Sequence, residues 1–97
     1  MKLRKLKFSG PISTGGNMRA LEAYRRGHQI LLSDCFGDAP KIGQSWSASI
    51  YRKDRTGDFS EDPCASLEGK NYDPEKAESL IRELLKGVLV LSSLVYK

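Results

Sequence analysis

Histidine and tryptophan occur once each and cysteine twice among the 97 residues, and these scarcities exclude several kinds of chemistry. Catalysis by a triad or dyad needs a nucleophile, a base within hydrogen-bond reach and usually an orienting group. His28 is the single imidazole, and seven positions along an apolar stretch separate it from Cys35, too far for such a pair. Two cysteines and one histidine give three zinc ligands with none at the usual close spacing. A secreted scaffold held by disulfides carries more cysteines than Cys35 and Cys64. Both are expected to be reduced and structural, in a cytoplasmic setting.

Long apolar runs are missing too. The longest, Val88 to Leu91 extended past two serines to Tyr96, falls well below the roughly 20 residues that span a bilayer. The start, Met1-Lys2-Leu3-Arg4-Lys5-Leu6-Lys7, is charged like the head of a secretory leader. No uninterrupted apolar stretch or small-residue cleavage site follows, so no leader is expected. Gly10-Pro11-Ile12-Ser13-Thr14-Gly15-Gly16 lacks the Gly-Lys-Ser/Thr ending of a phosphate loop, and the dinucleotide fingerprint is also absent. This segment reads as a flexible surface loop that contacts a partner, or as an ordinary connector.

Hydrophobic residues at 39% and charged residues at 29% describe an ordinary globular chain. A single α+β domain over 1–97 is expected, with an antiparallel sheet of three to five strands and two helices packed on one face. The net charge of +4 hides an asymmetry: residues 1–53 hold ten Lys/Arg against three acids, and residues 54–97 hold six against nine. The basic first half suits nucleic acid or an acidic protein surface.

Along the chain, Lys2 to Phe8 alternates unevenly between basic and apolar residues and predicts an edge strand ending at Gly10-Pro11. Asn17 is positioned as the N-cap of a short helix through Arg26, closed by Gly27, with Met18, Leu21 and Tyr24 on its inner face. His28 to Phe36 reads as a buried strand, and Gly37, Asp38, Pro40 and Gly43 mark a loop. Ser45 to Arg52 alternates clearly, placing Trp46, Ala48 and Ile50 on one face and the serines with Tyr51 on the other. A turn at Asp54 to Asp58 and an extended stretch from Cys64 to Leu67 follow. Asp73-Pro74-Glu75 starts a helix with a capping carboxylate, a proline at the first position and an acid in the first turn. Ala77, Leu80, Ile81, Leu84 and Leu85 form its apolar face. After Lys86 two readings stand: Gly87 caps the helix and releases Val88 to Tyr96 as a strand, or it sits inside a longer helix.

Asp54, Asp58, Glu61 and Asp62 lack the alternation and distal glutamate of a calcium loop and read as a solvated turn. Basic and aromatic residues interleave at Tyr24-Arg25-Arg26, at Tyr51-Arg52-Lys53 with Arg55, and at Lys70-Asn71-Tyr72. Arginine beside tyrosine anchors protein interfaces and also stacks on bases. The helix, three-strand, helix order expected over 17–86 is similar in topology to double-stranded-RNA-binding domains. Those carry a lysine cluster at the start of the last helix, where this chain has Asp73-Pro74-Glu75 with just Lys76.

The sequence thus points to a small non-enzymatic binding protein with no catalytic residues, metal, cofactor or membrane contact. Its partner-binding surface is expected at Arg25, Arg26, Tyr51, Arg52, Lys53 and Arg55. A regulator or inhibitor acting by protein contact on a larger, nucleic-acid-processing assembly fits first, such as the short antagonists of phages and mobile elements, anti-CRISPR proteins among them. Direct binding of nucleic acid or a ribonucleoprotein through the basic half is the alternative.

Overall fold

Five strands follow one another as an antiparallel meander: β1 (Ser9–Gly15), β2 (Met18–Arg25), β3 (His28–Asp34), β4 (Trp46–Arg52) and β5 (Ala65–Gly69), in the spatial order β1-β2-β3-β4-β5. One helix, α1 (Pro74–Val95), completes the α+β domain. The structure, a computed structural model, describes residues 2–54 and 56–95, with the side chains of 92–95 left out of the description.

The expected first helix is β2. Arg25 pairs with His28 across a two-residue turn, in which Arg26 and Gly27 both have positive φ, at 49° and 76°. That is the pattern of a hairpin turn whose twist matches that of the flanking strands. A helix C-cap and this turn both demand a left-handed residue, so Gly27 serves either reading equally. Side-chain exposure separates them: Met18 and Tyr24, expected inside a helix, are each 56% exposed. With this helix gone, the topological likeness to double-stranded-RNA-binding domains goes too.

Strict alternation in β3 and β4 buries His28, Ile30, Leu32 and Asp34 beside Trp46, Ala48 and Ile50. Against this face α1 lays Ala77, Ile81, Leu85 and Leu89 at four-residue spacing, flanked by Leu84 and Val88. Leu80 is rotated outward and 53% exposed, and Glu78 takes a buried place instead. Asp73 caps the helix as expected, its Oδ1 accepting the amides of Glu75 and Lys76 at 3.0 and 3.4 Å. The helix runs through Gly87, which settles the open choice in favour of the longer helix; Tyr96 lies outside the described residues.

One helix, about 10 Å across, covers roughly two strands spaced about 4.8 Å apart. It comes closest to β5, which leaves apolar surface uncovered on the β2 side. Residues 2–8 fill that space as a strap rather than forming the expected edge strand. Leu3 and Leu6 are buried in the common core, with half-buried Phe8 and Leu21 packed against it. Their three-residue spacing suits a groove and fails the alternation of a strand. The edge strand is β1, in the segment read as a loop.

The strap is pinned by polar contacts. Glu78 Oε2 accepts the Leu6 amide at 3.0 Å and pairs with Arg82 Nε at 3.1 Å, while Arg82 Nη1 donates to the Leu3 carbonyl at 3.4 Å. Arg25 Nη1 donates to the Arg4 carbonyl at 3.2 Å. At the opposite end of the sheet, Asp34 organises the loop after β3 by accepting the Phe36 and Asp38 amides at 2.8 and 2.9 Å and pairing with Lys41 at 3.3 Å. The Asp38 amide, helped by that of Phe36 and by Lys41, holds the Asp34 carboxyl below its ordinary range.

Candidate interaction surface

The β2–β3 turn and the end of β4 lie side by side, joined by the Lys53 amide donating to the Gly27 carbonyl at 2.9 Å. This places Arg25, Arg26, Arg52 and Lys53 together at one end of the sheet, with Tyr51 one residue inward. Arg55 lies outside the described residues. Cross-strand register sorts the group onto two faces. Arg25, His28 and Arg52 form a row on the helix side, and Tyr24, Gln29 and Tyr51 form the adjacent row on the open side.

His28 is 5% exposed and supports the turn from beneath. Its Nδ1 lies 2.9 Å from the Arg26 carbonyl, which can only accept, so Nδ1 carries the hydrogen. Its Nε2 has no hydrogen-bond partner among the described residues. Cys35 follows the far end of β3, seven residues or roughly 23 Å from His28; a His28–Cys35 dyad does not form. Cys35 and Cys64 are exposed free thiols rather than the structural residues expected, and Cys64 Sγ hydrogen-bonds the Ile50 carbonyl at 3.3 Å.

On the open side, Tyr24 donates its hydroxyl to Glu22 Oε2 at 2.8 Å, and Gln29 Nε2 donates to the Tyr24 oxygen at 3.3 Å. The hydrogen bond to Glu22 is the main reason the Tyr24 hydroxyl titrates above its usual value. Phe59 reaches this cluster from the loop after β4. It bridges to Lys53, and its ring lies 5.9 Å from that of Tyr24, tilted by 42°. Sequence reasoning missed Phe59 because it stands among acids and turn residues, where nothing local announces a folded-back aromatic.

Other candidates separate from this cluster. Asp54 turns inward on its own loop, Oδ1 accepting the Thr56 amide and hydroxyl at 2.9 and 2.6 Å and the Asp58 amide at 3.0 Å. The Thr56 hydroxyl is the main cause of its lowered carboxyl pKa. No group of three or more metal-ligating side chains occurs among the described residues. Tyr72, in the third basic and aromatic stretch, is a core residue packed edge-on to Trp46 at 6.3 Å, with burial pushing its hydroxyl up. Gly10 to Gly15 belong to β1, so the glycines there precede no helix N-terminus. Among the described residues no helix is long and apolar enough to cross a membrane.

No protein-family model, curated protein or solved structure matches the chain.

Proposed function

We propose that this chain is a non-enzymatic binding protein, a regulator or inhibitor that docks on a protein partner through the basic and aromatic end of its sheet. The Glu22–Tyr24–Phe59 cluster carries the reading. A carboxylate bonded to Tyr24 repels phosphate on the open side of this end, and the Tyr24 ring is already packed against Phe59. Protein interfaces combine such an aromatic centre with a charged rim, whereas a phosphate track needs cations throughout.

The sign of the rim selects the target. Nucleic-acid channels are themselves basic, and this rim would be repelled from them. On a nucleic-acid-processing assembly, the contact therefore falls on an acidic face away from the channel. A short antagonist of the kind carried by phages and mobile elements, the anti-CRISPR class included, suits a domain of this size.

Direct nucleic-acid binding is the second reading, supported by the gathering of Arg25, Arg26, Arg52 and Lys53 at one sheet end. Capture of partners from the native lysate by the tagged chain, with and without nuclease and at low and moderate salt, separates the two. A protein retained through nuclease and salt supports the regulator. Loss on nuclease treatment transfers the assignment to nucleic acid, whereas weakening by salt alone is common to both readings.

A further inference from the structure

The strap brings a second set of cations to the helix-side edge of the basic end, beside Arg25. Burial of Leu3 and Leu6 turns the intervening Arg4 and Lys5 outward, and the Arg4 carbonyl is held 3.2 Å from the Arg25 guanidinium. Arg4 thus stands beside the hairpin although 21 positions separate it from Arg25 in the chain. Among the described residues no carboxylate forms an ion pair with Arg4, Arg25 or Lys53. Adjacent cations without counter-charges repel one another and favour an anionic partner that brings carboxylates to them.

We infer that the strap is part of the docking surface, with Arg4 a contact residue for an acidic protein segment. The Glu78–Arg82 pair is the positioning element that fixes the strap against α1. This inference rests on the proposed protein-docking function and extends its surface beyond the residues that composition marks out.

The test is a titration of the isotope-labelled full chain with a short polyglutamate peptide, followed by the backbone amide resonances. Resonances of Leu3, Arg4 and Lys5 are expected to shift together with those of Arg26, Arg52 and Lys53. The Arg4→Ala variant is expected to bind roughly two- to fivefold more weakly, the size of one exposed ion pair. The Leu6 amide resonance reports that the strap stays docked in that variant. Shifts confined to the hairpin and β4, with unchanged affinity for Arg4→Ala, would overturn the strap's role while leaving the docking end standing. An absence of shifts at Arg26, Arg52 and Lys53 would overturn both. A single-stranded oligonucleotide of equal charge that displaces the peptide would overturn the acidic-protein assignment.

Discussion

The Glu78 carboxylate accepts the amide of Leu6 at 3.0 Å, joining the second turn of α1 to a strap 72 positions earlier in the chain. Both residues are buried, so the bond closes the core on the side that the helix leaves open. Replacing Glu78 by alanine leaves the Leu6 amide without its partner and Arg82 without its counter-ion. A loss of about 2 to 3 kcal/mol in urea unfolding is expected, from the cost of an unsatisfied buried donor together with the lost pair. An unchanged midpoint would show that the strap contributes little to the fold.

Gly69 presents its α-carbon to the Trp46 indole so closely that a methyl group there would overlap the ring. Gly69→Ala must therefore displace the largest side chain of the core, at a cost of about 1 to 3 kcal/mol by overpacking. Trp46→Ala creates a cavity instead and is expected to cost about 3 to 5 kcal/mol. Thermal unfolding measures both, and near-ultraviolet dichroism reports the indole's displacement in the first. A native Trp46 signal in Gly69→Ala would contradict this packing.

The β2–β3 turn needs a left-handed residue at position 27. Gly27→Val is expected to lower stability by about 1 to 2 kcal/mol through backbone strain, because a β-branched residue resists φ near 76°. Arg26→Asn keeps a residue type that tolerates this conformation and is expected to preserve the melting temperature. Equal melting temperatures for Gly27→Val and the wild type would rule out the turn geometry described.

Acid should unfold the chain partly through Asp34. Its folded pKa is lowered from 3.8, chiefly by the Asp38 amide. The stabilisation is therefore fully present above the unfolded value and is lost as pH falls through the folded one. Urea midpoints measured from about pH 5 down to about pH 2 are expected to fall less steeply in Asp34→Asn than in the wild type. Parallel slopes would mean that Asp34 does not couple to folding.

The legible parts of the fold were those where local pattern and tertiary burial agree. Trp46, Ala48 and Ile50 alternate because one face of β4 meets the helix, and Asp73-Pro74-Glu75 announces a helix start that needs no distant partner. β2 was illegible because Gly27 satisfies a helix cap and a hairpin turn alike. The strap was illegible because Leu3 and Leu6 are buried by a vacancy beside α1, which no local pattern records. The basic end was legible as a composition, since Arg25, Arg26, Arg52 and Lys53 flank two strand ends. Phe59 and Arg4 join it only through loop and strap geometry.

Two charge reversals of equal size test the docking end most directly. Lys53 lies at the basic end, and Lys70 follows β5 at the other end of the sheet; both are exposed. Binding of each variant to the partner captured from lysate isolates position from net charge. The account predicts that Lys53→Glu weakens binding roughly tenfold or more while Lys70→Glu stays near the wild type. Equal losses in the two variants, or none in Lys53→Glu, would contradict the placement of the interface at the hairpin end.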